Sequence, residues 1–229
     1  TAEDKLPEAA TITLRRKRIE QVLSLTMADD EVTDILVRLG DAELAAGNLA
    51  ESTTAYREAL DAHPGFAGAV AGLERILDVA QSNETPPERE VLDALERAYQ
   101  DAGNKPGLAR LAKIRLENAE GDDLLIQLDN LGRLLDDGGG RPREALEVWG
   151  NLLMRDAESE NALRRVVELS EERALLSDAI HFMAAAIDAA RDGKRPCLNL
   201  CVETTKILLA KIGDSRTALR ALAPALREN

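Results

Sequence analysis

Five aromatic residues, two histidines and two cysteines are all that this chain of 229 residues has of the groups that usually build catalytic and metal sites. Zinc needs about four soft or imidazole ligands, and Cys197 and Cys201 would require partners that His63 and His181 stand too far along the chain to supply. A disulfide between Cys197 and Cys201 is disfavoured if that segment is helical, because side chains one turn apart rarely meet the required geometry. Two buried, reduced thiols and a cytoplasmic setting follow as the expectation. No apolar run approaches the ~18 residues needed to cross a membrane, so a soluble chain is expected. It opens on Thr1 rather than Met, without an apolar leader, and reads as a piece of a longer polypeptide.

Basic residues are also in deficit. Forty-two acids face 29 bases, a net charge of −13, and nucleic-acid binding rests on the opposite balance. The run Arg15-Arg16-Lys17-Arg18 is the exception; it reads as a solvated helix face or a contact to an acidic neighbour. A phosphate-binding loop is missing, because Gly138-Gly139-Gly140 is followed by Arg-Pro-Arg rather than Lys-Ser/Thr. Hydrolytic triads would need His63 or His181. His63 precedes Pro64 at a helix end, and His181 is expected as a packed core side chain. No enzyme activity, cofactor or metal is expected.

What is abundant is alanine and leucine, the strongest helix formers, without the alternating pattern of strands. The chain is predicted to be all-α. Within 33–64, Leu36, Leu39 and Gly40 share one helical segment, Gly47-Asn48 makes a turn, and Tyr56, Ala59 and Pro64 belong to a second helix. Gly40 offers a flat spot for close helix approach, Gly47 and Asn48 tolerate left-handed backbone angles, and Pro64 stops the second helix. A small–bulky–small triplet, Ser52/Tyr56/Ala59, recurs as Ala145/Trp149/Leu152, Ala179/Met183/Ala186 and Ala218/Leu222/Ala225. The step from Trp149 to Met183 is 34 residues, and Leu131-Gly132 echoes Leu39-Gly40. Leu95, Tyr99 and Gly103 suggest another first helix, followed by Leu108, Ala112 and Leu116.

The stretch 33–66 closely resembles a tetratricopeptide repeat, a helix–turn–helix unit with a period of about 34 residues that must stack on copies of itself. The later copies are degenerate: Arg115 replaces a small residue, Glu120 replaces a proline, and Ala157 follows the Trp149 helix where proline is usual. The resemblance implies a right-handed α-α superhelix of about five such hairpins plus extra helices. The organisation expected is an N-terminal extension at 1–30 with a helix from about Thr11 to Met27, one repeat plus an added helix (Phe66 to Ala80) at 31–80, a Pro-rich linker at 81–89, and degenerate repeats at 90–229. The surplus at 66–89 reads either as a joint between two sub-arrays or as an ordinary repeat with a long internal turn.

In this family the first helix of each pair lines a concave, ligand-binding groove. Transferred here, the groove positions are Asp34, Val37, Asp41, Leu44 and Ala45; Glu90, Asp93, Arg97, Gln100 and Asp101; Ile126, Asp129, Arg133, Asp136 and Asp137; Asn161, Arg164, Glu168, Glu171 and Glu172; and Leu200, Glu203, Ile207, Ala210 and Lys211. Twelve are acids and four are bases, which implies a basic peptide or protein as partner, steered by charge and held by apolar contacts such as Val37, Leu44, Ile126 and Ile207. Val37 and Asp41 stand where a carboxylate-clamping subtype has cationic and amide side chains, which sets that subtype aside. The function expected is a non-catalytic protein-interaction scaffold of bacterial style. The alternatives are a self-assembling module, with Leu219, Leu222 and Leu226 near an open end, and a regulatory domain of a larger protein.

Overall fold

The computed structural model describes residues 29–137 and 141–225. Among them there are eleven α-helices and no strand, as the composition predicts. In order these are α1 (Asp29–Ala45), α2 (Leu49–Ala62), α3 (Ala67–Ser82), α4 (Arg89–Asp101), α5 (Lys105–Glu117), α6 (Gly121–Asp137), α7 (Pro142–Arg155), α8 (Glu160–Leu169), α9 (Leu176–Asp192), α10 (Leu198–Ile207, continuing as the π-helical turn Leu208–Ile212) and α11 (Ser215–Leu222). The expected helix at Thr11 to Met27, the Gly138-Gly139-Gly140 run and Leu226 lie outside the described residues. Two compact units, 1–108 and 109–229, divide within α5.

In the first unit α1 and α2 form a tight hairpin. Gly47 adopts φ +81°, a left-handed conformation that side chains resist. The amide of Asn48 donates to the Glu43 carbonyl at 2.9 Å and its side chain to the Glu43 carboxylate at 2.8 Å. Glu43 is thus 2% exposed yet partnered. Pro64 acts as its chemistry requires: His63, forced out of the helical region by the ring that follows, is extended at φ −137° and ψ 93°, and α2 ends at Ala62.

The hairpin closes on Tyr56. A Cβ at Gly40 would lie 2.5 Å from Tyr56 Cε1, so only glycine admits the ring. Ser52 Oγ donates to the Gly40 carbonyl at 2.8 Å and fixes the register of the crossing. The third helix, α3, packs against both α1 and α2 and presents a second glycine, Gly72, to the same ring. In turn α4 packs against α2 and α3. The helix expected at Phe66 to Ala80 is α3, which packs against α4 across a connection at 83–88. Pro86 and Pro87 sit in that connection, ahead of the α4 N-cap Glu88.

The second unit repeats this order. Helix α6 pairs with α7, α8 packs on α7, and α9 packs on α7 and α8, with α10 and α11 following. Trp149 occupies the place of Tyr56: a Cβ at Gly132 would lie 2.5 Å from its Cε2. The triplets Ala145/Trp149/Leu152 and Ala179/Met183/Ala186 are wholly buried. The last triplet is looser, with Ala218 and Ala225 buried and Leu222 half-buried. His181 departs from expectation: it is exposed on α9, its ring edge-on to Phe182 at 6.0 Å. Two residues before buried Met183, it is turned about 200° round the helix, away from the core.

Gly40→Ala is expected to lower the stability of the folded chain by about 1–3 kcal/mol, since the Tyr56 ring is enclosed between two helices and cannot yield. Urea unfolding followed by circular dichroism measures it, and an unchanged midpoint would show that the ring does relocate.

Candidate functional site

One polar cluster accompanies each of the two rings at these crossings, Tyr56 and Trp149. Tyr56 Oη donates to Asp41 Oδ1 at 2.7 Å, and Arg75 of α3 reaches the same oxygen at 2.5 Å. Trp149 Nε1 donates to Asp136 Oδ2 at 3.0 Å, and Arg165 Nε of α8 reaches it at 2.7 Å. In both units an acid on the first helix of a hairpin takes the polar hydrogen of an aromatic ring on the second. An arginine on the third helix then neutralises that acid. Burial alone would raise the Asp41 carboxyl, but the Tyr56 and Arg75 hydrogen bonds hold it below its ordinary value. Tyr56 is pushed up to about 12, first by burial and then by its hydrogen bond to the Asp41 carboxylate and that group's charge. The Arg165 guanidinium is raised, chiefly by its hydrogen bond to Asp136.

The acids assigned from the sequence to a groove are thus heavily committed within the fold. Asp129 pairs with Arg133 at 2.8 Å, Glu203 with Lys206 at 2.7 Å, and Asp93 with Arg89 at 3.5 Å. Glu168 holds Arg164 at 3.4 Å as well as Arg165. Asp34 stays exposed on α1, while Val37 and Leu44 are half-buried. Ile126 is 57% exposed and available for contact, whereas Ile207 is 5% exposed and Leu200 is fully buried. Those two lie seven apart on the face that α10 turns to the core of the second unit, so neither can meet a partner.

Two clefts gather the remaining candidates. In the first unit α2 and α4 border a cleft of about 260 Å³ lined by Arg57, Asp61, Glu90, Asp93, Arg97 and Asp101, with Leu60, Pro64 and Ala94 among its apolar walls. Four of these residues come from the set expected on a first helix; they stand on α4 and border α2. Arg57, which no sequence argument singled out, bridges the cleft to Glu90. In the second unit Arg133, Asp136, Asp137, Asn161 and Arg164, all assigned from the sequence, line a cleft of about 420 Å³ with Trp149 and Arg165. Its charges are three arginines against two aspartates, the reverse of the balance expected.

No protein-family model matches the chain. Among the described residues no helix is long and apolar enough to cross a membrane, and no three metal-ligating side chains converge.

The cluster at Tyr56 makes stability pH-dependent at high pH. The folded pKa lies above the unfolded value of about 10, so the folded state holds the proton more tightly. The resulting stabilisation is fully present below about pH 10 and is lost as pH rises through about 12. Urea midpoints measured across that window are expected to fall in the wild type and to fall less steeply in Tyr56→Phe. Parallel slopes would remove the assignment.

Proposed function

We propose that this chain is a non-catalytic, polypeptide-binding scaffold of tetratricopeptide type, whose hairpins stack into an α-α superhelix, and that it takes a basic segment of its partner. What supports the architecture is the repeated order of packing, in which each unit sets an aromatic of a second helix on a glycine of the first and braces it with an arginine from the third. The observation that carries the charge preference is the α2/α4 cleft. Its lining carries four carboxylates, Asp61, Glu90, Asp93 and Asp101, against two arginines, Arg57 and Arg97; Glu90 pairs with Arg57 and Asp93 with Arg89. A lysine or arginine side chain entering between Leu60, Pro64 and Ala94 would bury its methylene stem on apolar wall and leave its charged head among carboxylates. Opposite charge of this kind accelerates encounter and selects partners more than it adds affinity.

The α6/α8 cleft, with its three arginines, is a poor match for the same segment, which confines the basic partner to the first unit. A Lys/Arg-rich labelled peptide is expected to bind with fluorescence anisotropy that weakens as the ionic strength rises from about 0.01 to 0.15 M, where the screening length shrinks from roughly 30 to 8 Å. Asp93→Lys with Asp101→Lys should weaken it about tenfold or more, and a Glu-rich peptide of equal length should not bind. Salt-independent binding, or equal binding of both peptides, would overturn the charge preference.

Self-assembly is the second reading, and a specific observation favours it. The π-helical turn and α11 leave Leu209, Ile212 and Leu219 at 49%, 52% and 68% exposure. Large apolar side chains so exposed are a common mark of an interface. Light scattering is expected to give a mass above the 24.8 kDa of one chain on this reading, and to return to it in Leu219→Glu. A monomer at all concentrations would rule it out.

A further inference from the structure

Cys197 and Cys201 are the two thiols of the chain, and the binding reading uses neither. Both are buried, at 1% and 0% exposure, and their sulfurs stand 3.5 Å apart. In a regular helix, side chains four residues apart on one face hold their sulfurs too far apart and at the wrong dihedral for a bond. Here the helix is not regular at that point. Cys197 is the N-cap residue of α10, with φ −152° and ψ 27°, so its side chain is free of the helical direction and folds over the first turn toward Cys201. The turn is nevertheless closed, because the Cys201 amide donates to the Cys197 carbonyl at 2.9 Å. The backbone is thus fixed while the two sulfurs converge.

The connection before Cys197 exposes Gly193, Lys194 and Pro196, and Lys194 holds a left-handed φ of +51°. That connection is tied down by Arg195, whose guanidinium donates to the backbone carbonyls of Met154 (2.9 Å) and Arg155.

We propose that Cys197 and Cys201 form a dithiol modification site that a peroxide converts to an intramolecular disulfide in the folded chain. One thiolate attacks a peroxide oxygen; the O–O bond breaks, one oxygen leaves as water after taking a proton, and that sulfur becomes a sulfenic acid. The second sulfur then displaces the hydroxyl, which departs as a second water, and the S–S bond forms. The two sulfurs give up two electrons and the peroxide takes them. Closure asks the sulfurs to move from 3.5 Å to about 2.0 Å. The bond then locks the α9–α10 connection to the first turn of α10.

The test uses the full chain in redox buffers of oxidised and reduced thiol, folded and in denaturant, followed by acid quench, alkylation and intact-mass measurement. The expected product is a monomer about 2 Da lighter that takes up no alkyl group. The equilibrium constant for its formation should be at least about tenfold larger in the folded chain than in denaturant. Linkage then requires the disulfide form to melt above the dithiol form, and peroxide should yield the same product. Two alkylated thiols at every poise, a disulfide-linked dimer in place of the monomer, or a disulfide form that melts lower would each overturn the proposal.

Discussion

Everything in the described structure depends on a bulky ring from one helix meeting a residue without a Cβ on the helix before it. Two helices of a hairpin can approach closely only where one of them offers no side chain, and Gly40 and Gly132 supply those points for Tyr56 and Trp149. A ring placed there is large enough to reach the third helix as well, as Gly72 shows for Tyr56. The aromatic group is therefore a shared core for three helices rather than two, and it fixes where the third must lie. A chain with only five aromatic residues can build so ordered a core because two of them stand at these crossings.

The polar end of each ring creates a second constraint. A buried hydroxyl or indole N–H must have an acceptor, and Asp41 and Asp136 provide it. A half-buried carboxylate needs compensation in its turn, which Arg75 and Arg165 bring from the following helix. Packing and charge thus reinforce one another: the ring positions the third helix and the arginine on that helix satisfies the ring's acceptor. The same pairing offsets charge at the surface. Asp41, Asp129, Asp136, Glu168 and Glu203 are all neutralised within the fold, so a census of acids overstates the field a partner would feel.

Much was legible in advance because helix physics is local. The Gly47 turn, the stop at Pro64, the Gly40 and Gly132 crossings and the buried triplets follow from residue types at fixed spacing. Other readings depended on which helix partners which. The pairing of α3 with α4 was left open by the long 83–88 connection, and with it the placement of Asp93 and Arg97, which border α2 rather than a first helix. His181 misled because an apolar neighbourhood in sequence spans the whole circumference of a helix, and only half of it is core. Arg57, Arg75 and Arg165 were silent for another reason: each acts on a residue 33, 34 or 29 positions away.

The sequence by itself determined that the chain is helical, where several of its helices begin or end, and which small and bulky residues face inward. Those properties are set by propensity, capping and periodicity, all decided within a few residues. Only the tertiary structure decided which carboxylates are spent on arginines and which line a cleft. It also decided that the α6/α8 cleft is richer in arginine than in acid, and that Cys197 leaves the helical direction to meet Cys201. Charge pairing and thiol approach act through distances of a few ångströms between side chains, and those distances are fixed by packing and local backbone geometry that spacing along the chain does not encode.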